Sequence, residues 1–392
     1  MSEERDSMQP DRTKKAPKLS KTALRIERAK TVVPHPGLVF NHKHYVFIAK
    51  LKRGEIWALN LLKPKAKSMV SPVFEIGLPD PPQPNKVQKT LLKHATDSLE
   101  RIATEWTGLP FYLDPQYLGP KDEPPTPGNI QTVLALSQSM GLHMIPVTSP
   151  FFSSAVQKVV KNVIKKDDLG VMFRLTVDFF ANPQNVPNYL DGLMNALEVT
   201  AKKVDILVDL GYRPSIADVQ ALGTYCFSSL PRIDSWRTVT LASGCFPDSI
   251  TKEPAGQWIP YSRTDWLGWQ AFAAQRAKAG KRVPTYGDYG VRCGGRPQPV
   301  PNGPAPNIRY SDLKTIWVRK DPKVSGVIKA ICADLTGKPF FAGASFSEGD
   351  NQIALKATNS SVTNAQAEQW IQWCANHHLE LTASQIRSLP WP

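Results

Sequence analysis

No apolar run in this sequence approaches the ~18 residues that a membrane-spanning helix requires. Residues 1–43 are also too polar for a cleavable signal, so a soluble protein is expected. Cysteine is scarce. The five that occur (Cys226, Cys245, Cys293, Cys332, Cys374) are scattered, odd in number and form no CxxC pair. That argues against a disulfide framework or a zinc cluster and points to a reducing cytoplasm. Several chemical signatures are missing as well: no GxxxxGK[ST], no GxSxG, no HExxH, and no GxGxxG opening a helix after the first strand.

Positive charge, by contrast, is in excess. The 392 residues carry 48 Lys/Arg against 34 Asp/Glu, a formal net charge of +14. Such a balance favours polyanionic company, nucleic acid or nucleotide, though as a sequence-independent signal. Residues 1–43 hold ten of the basic residues and five acids. They read as a largely disordered arm with a short basic helix near 20–33, either solubilising or docking on a protein partner or a phosphate backbone.

The chain is organised around residues 45–77. An apolar run at 45–49 passes into Lys50 and Lys52, a helical segment follows at 54–62, and a second apolar run at 70–74 ends on Glu75. Strand, helix, strand, with charge at both strand exits, is how a parallel α/β barrel begins. The grammar repeats. Further strands are expected at 110–114, 143–148, 170–177, 204–210, 237–242 and 284–290. Helices are expected between them at 86–107 (capped by Asn85), 130–140, 153–166, 187–200, 217–230 and 264–280. Eight strands separated by helices close a barrel with every edge paired. The predicted organisation is thus an arm (1–43), a (βα)8 TIM-barrel-like domain (44–293), and an α+β extension (294–392) packed on it. In the extension, helices are expected at 324–335 and 364–378 beside the strand-like KTIWVRK. It is expected to lean over the barrel's C-terminal mouth, bringing Arg309, Arg319, His377 and His378 toward it.

PVFEI at 72–76, YLDP at 112–115, YGDYG at 286–290, IRYSDLKTIWVRK at 308–320 and NHHLELTASQI at 376–386 carry a resemblance through their order and spacing. From about residue 45 to 386 the chain resembles the beta protein family, named after a T-even phage protein and found in phages and bacteria. The resemblance implies a barrel-like α/β fold and a role in phage defence or phage–host conflict. It supplies no reaction, and the basic arm is a departure from it.

Barrel sites lie at the C-terminal strand ends, which makes Lys50, Lys52, Glu75, Asp114, Arg174, Asp209, Asp288 and Tyr289 the site residues to examine. Three readings compete. In one, Lys and Arg neutralise the acids in a structural ion network. In another, Glu75, Asp114, Asp209 and Asp288 hold Mg²⁺ or Mn²⁺ while Lys50, Lys52, Arg174, Tyr289 and Arg319 meet a phosphate, which suits phosphodiester or nucleotide hydrolysis. In the third, a carboxylate pair from among the catalytic candidates Glu75, Asp209 and Asp288 does metal-free acid–base work, with Lys52 as electrophile or Schiff-base nucleophile. A non-catalytic sensor, scaffold or inhibitor using the arm is the alternative to all catalytic versions. His377 and His378 point about 100° apart on a helix, so both cannot readily meet one ion. Trp258, Trp266 and Trp269 offer rings for base stacking or, by default, for the core.

Overall fold

The computed structural model describes residues 43–80, 87–296, 305–324, 326–358 and 367–390. The arm, apart from Lys43, and the Asn85 cap therefore lie outside the described residues. Eight parallel strands close a barrel: β1 (Tyr45–Lys50), β2 (Val70–Gly77), β3 (Phe111–Tyr117), β4 (Met144–Thr148), β5 (Val171–Thr176), β6 (Val204–Tyr212), β7 (Thr238–Gly244) and β9 (Thr285–Asp288). Tyr45 pairs with both Val70 and Tyr286, which seals the ring. Alternation along each strand sorts its side chains into two layers. Val46, Ile48, Val73, Tyr112, Ile145 and Met172 fill the barrel interior, whereas Tyr45, Phe47, Phe74 and Phe111 pack outward against helices.

Helices α1 (Arg53–Asn60), α3 (Leu91–Glu105), α4 (Pro127–Ser139), α5 (Ser154–Asp167), α6 (Val186–Leu197), α7 (Ile216–Ser229) and α8 (Thr264–Lys278) surround the barrel, with the short α2 (Pro64–Lys67) after α1. Local capping sets several starts. Ser153 Oγ accepts from the Val156 amide, Ser215 Oγ from that of Asp218, and Thr90 Oγ1 from that of Lys93. The helix expected from residue 86 thus begins at Leu91. No helix among the described residues is long and apolar enough to cross a membrane.

A second, three-stranded antiparallel sheet joins β8 (Ile259–Ser262), which lies between β7 and α8, to β10 (Asn307–Ser311) and β11 (Thr315–Lys320), which follow β9. Helices α9 (Val327–Thr336) and α10 (Glu348–Thr358) accompany it around a core of Ile308, Ile316, Val318, Ile331 and Trp373. Four of these elements depart from expectation: β8, β10 and α10 are not expected from the sequence, and the final helix α11 (Ala367–Arg387) runs well past residue 378.

That final helix belongs to the ring around the barrel. Asn376 Nδ2 donates to the Ala58 carbonyl of α1 (3.0 Å), and Glu380 accepts from the Lys63 amide (2.5 Å). On its other flank Arg263, at the start of α8, donates to Thr382 Oγ1 (3.0 Å) and Gln385 Oε1 (2.6 Å). The helix therefore fills the gap between α8 and α1, and the sheet is inserted before it. Its entry needs a close approach at Gly54, where an added Cβ would stand 2.7 Å from the Glu368 carbonyl oxygen. Gly54→Ala is expected to cost about 1–3 kcal/mol in urea unfolding and to speed amide exchange in 367–387. Unchanged exchange there would show that the helix is held elsewhere.

Candidate functional site at the barrel mouth

At the C-terminal ends of the strands, alternation brings the inward-facing residues of five strands and of the turn after β9 to one point. Arg174 of β5 lies at the centre. Its Nη1 donates to Glu75 Oε1 (2.7 Å) and Asp114 Oδ2 (2.6 Å), and its Nε and Nη2 both donate to Asp209 Oδ2 (2.9 and 2.6 Å). Tyr289 closes the ring: its hydroxyl accepts from Arg174 Nη2 (2.8 Å) and donates to Asp209 (2.7 Å). Lys50 of β1 donates to Glu75 and to the Gly295 carbonyl, and its ammonium sits 4.9 Å from the Tyr117 ring centroid. Gln116, two residues after Asp114, adds donors to Glu75 (2.7 Å) and to both Asp114 oxygens.

Three carboxylates thus face two cations in a nearly dry setting, with side-chain exposures of 7% for Lys50, 6% for Arg174 and 0–5% for the acids. Burial pushes the Asp114 carboxyl up, with Glu75 adding to it against the pull of Arg174, so it is driven toward holding a proton. For Asp209 burial acts the same way but loses. Arg174, the Tyr289 hydroxyl and the Gly211 amide hold it below the usual carboxylate range. Tyr289 itself is raised by burial and by Asp209.

The structure therefore joins Lys50, Glu75, Asp114, Arg174, Asp209 and Tyr289, and leaves out Lys52, Asp288 and Arg319. Lys52 is exposed at the N-cap of α1, outside the strand. Arg319 pairs with Asp321 (2.8 Å) and Asp334 (2.6 Å) on the inserted sheet. Asp288 faces the opposite way, because in the run Gly287-Asp288-Tyr289 the glycine and tyrosine point into the barrel. Beneath α11 it accepts from Tyr45 (2.5 Å), Tyr286 (2.8 Å) and the Gly290 amide (2.8 Å), and His378 Nε2 lies 3.0 Å away. The four-carboxylate metal set is not assembled. A guanidinium occupies the centre of the remaining three acids, and among the described residues no group of three or more His, Cys, Asp or Glu could hold a metal ion.

The two histidines diverge as helix geometry requires. His378 turns to Asp288 and Ser311 Oγ (2.7 Å), and His377 to Asp350 (2.8 Å) and the Ser311 carbonyl (2.7 Å). Ser311, His378 and Asp288 are aligned like a nucleophilic triad, but all three are buried, so they tie the inserted sheet to the barrel. Arg309 is spent on the Val291 carbonyl (2.9 Å) and the Phe246 ring. Of Trp258, Trp266 and Trp269, the last two are core and the first donates to Asp334 (2.6 Å).

Around the inner network runs a rim that motif reading missed. Glu55, in the first turn of α1, is buried with its Oε2 lacking a hydrogen-bond partner, and Arg292 Nε approaches its Oε1 at 3.4 Å. Burial raises the Glu55 carboxyl, with Arg292, Lys50 and Lys52 opposing. Arg296 donates to the Gly119 and Pro120 carbonyls (3.0 Å each) and lies over Tyr117. The available signal was position: Arg292 and Arg296 follow the last barrel strand directly.

Two solved barrels of known chemistry match at a distance. A triosephosphate isomerase from Bartonella henselae matches at 8% identity and a TM-score of 0.32, covering 62% of this chain and 90% of that one. A type I 3-dehydroquinate dehydratase from Clostridium difficile matches at 10% and 0.35, covering 54% and 80%. Neither carries an argument about the site. No curated protein gives a significant match. What does match is a family model: the one described as Beta protein spans residues 45–383, from the first residue of β1 to within α11, and the chain belongs to that family.

Proposed function

We propose that this barrel binds a phosphate-bearing ligand, a nucleotide or nucleic acid, on the rim of its mouth, with Lys52, Arg292 and Arg296 meeting the phosphates. One observation carries the reading. The inner cations Lys50 and Arg174 are taken by Glu75, Asp114 and Asp209, whereas among the described residues the rim's three cations make one ion pair, Arg292 with Glu55 at 3.4 Å, and Lys52 only feels Asp80 and Glu55 from farther off. Among the described residues Lys52 makes no side-chain hydrogen bond or ion pair, and Arg296 bonds only to neutral carbonyls. An anion at the rim gains from charge that is only partly neutralised, while one pushed into the centre would have to displace a carboxylate from Arg174. The phosphate role expected of Lys50, Arg174, Tyr289 and Arg319 therefore moves outward to Lys52 and its two arginine neighbours. In the phage–host setting that the family resemblance implies, such a barrel would sense or act on nucleotide or nucleic acid.

Thermal unfolding against ATP, tripolyphosphate and short oligonucleotides tests this. A ligand at a hundredfold excess over its Kd stabilises by about 2.7 kcal/mol, and Lys52→Ala with Arg292→Ala should remove most of that gain. A wild-type chain that no phosphate compound stabilises would overturn the reading.

A further inference from the structure

We infer that the ligand is single-stranded nucleic acid laid across the mouth, its bases stacked on an aromatic ledge opposite the cationic rim. The inference rests on the phosphate reading above and names the ligand class. The ledge is built from three rings at the same C-terminal end of the barrel. Phe151 follows β4, Phe179 lies in the 3-10 turn after β5, and Tyr189 is in the first turns of α6. The Phe151 and Phe179 centroids are 6.2 Å apart and edge-on, and those of Phe179 and Tyr189 are 6.1 Å apart. Phe179 is buried, while Phe151 and Tyr189 are 59% and 57% exposed. A buried ring therefore holds two exposed ones. Behind them the Tyr225 hydroxyl donates to the Phe180 carbonyl (2.7 Å), pinning the turn.

Large exposed rings held in place offer a π-face to any base, and base–aromatic stacking is tolerant of sequence. In an eight-stranded barrel β5 lies diametrically across from β1, so the connections that carry the ledge lie on the far side of the mouth from Lys52 and Arg292. Strand spacing and tilt give such a barrel a backbone diameter of about 15 Å. Ledge and rim are then farther apart than the base and phosphate of one mononucleotide. An oligomer spans them; a duplex, whose bases are already stacked, offers nothing to the ledge. Tolerant stacking joined to only partly neutralised cations is the combination by which proteins hold single strands without reading sequence. The Trp266 and Trp269 rings cannot serve, being core, whereas Phe151 and Tyr189 are free of that duty.

The test is fluorescence anisotropy of the 392-residue chain with a labelled 12-mer oligothymidylate and a labelled thymidine dinucleotide, over a salt series. The 12-mer should bind at least tenfold more tightly than the dinucleotide. Phe151→Ala with Tyr189→Ala should remove that advantage, lowering 12-mer affinity about tenfold or more. Lys52→Ala with Arg292→Ala should weaken both probes and reduce the salt slope by about 1.4. Equal binding of 12-mer and dinucleotide, untouched by the aromatic pair, would overturn the single-strand inference and leave the phosphate rim standing. Binding of neither, together with no stabilisation by ATP or tripolyphosphate, would overturn both.

Discussion

Replacing Arg174 with methionine is expected to lower the unfolding free energy by about 3–5 kcal/mol at pH 7, the cost of stripping a buried charge network of its partner. Methionine keeps the apolar stem and removes the five donors. Glu75, Asp114 and Asp209 would then meet with Lys50 as the one remaining charged partner, and only on Glu75. The sign with pH separates this from lost packing. In the wild type, Asp209 is held below the usual range by Arg174, so its contribution is present above the unfolded carboxylate pKa and fades as pH falls through the lower folded value. In the variant the acids lose their cation and shift upward. Ionising them then opposes folding above the unfolded pKa, and protonation relieves the strain. The deficit should therefore be largest at neutral pH and narrow toward pH 4. Urea unfolding of both proteins across pH 4–8 reads it directly. A deficit that is flat with pH, or below about 1 kcal/mol, would mean that Arg174 fills space without organising charge.

Much of this network was legible because two simple rules coincide in it. Strands that start apolar and end polar place their last inward side chain at the mouth, and YVFIAK, VSPVFE and VDILVD all obey, so Lys50, Glu75 and Asp209 could be named from pattern alone. Asp288 followed the same grammar and failed on parity. Its strand has four residues, and a shift of one position sends a side chain from the interior to the helix layer. The hint lay in Gly287, where an added Cβ would come within 2.9 Å of Ala242 Cβ; the interior position is taken by a residue with no side chain. The last helix was cut short for a different reason. Asn376, His377, His378, Glu380 and Thr382 are all buried, so beside the apolar row of Ala375, Leu379, Ala383 and Ile386 the helix packs a second, polar face that hides its end. That face exists to satisfy groups far away in sequence: Gly349, Ser311, Asp350 and Asp288. No window of sequence contains both halves of such a pairing. The ledge was invisible on similar grounds, since Phe151 belongs to the connection after β4 and Phe179 and Tyr189 to different parts of the one after β5.

Asp288→Ala should accordingly act on stability and leave the mouth alone. The carboxylate gathers Tyr45, Tyr286, the Gly290 amide and His378, and deleting it would strand buried donors at a cost of about 3–5 kcal/mol. Asp288→Asn keeps shape and part of the hydrogen bonding, so roughly half that loss is expected. Asp265 tempers the effect. It receives the same Tyr286 hydroxyl at 3.2 Å and is pushed up first by burial and then by the Asp288 charge. Removing that charge relieves Asp265, and a cycle of Asp288→Asn, Asp265→Asn and the double variant should show less than additive loss. The acid limb gives the sign. Burial alone would raise Asp288, yet the neighbouring His378, with the Tyr45 and Gly290 hydrogen bonds, holds it below the ordinary range. Its stabilisation is thus present above the unfolded carboxylate pKa of about 3.9 and disappears below it, so wild type and Asp288→Asn should differ at pH 7 and converge under strong acid. The folded fraction of each variant should still answer to oligothymidylate as the wild type does, because the side chains that meet Asp288 are those of Tyr45, Tyr286 and His378, none of them on the rim or the ledge. A variant with wild-type stability and no ligand response would return Asp288 to the mouth and undo the division of labour between the two buried clusters.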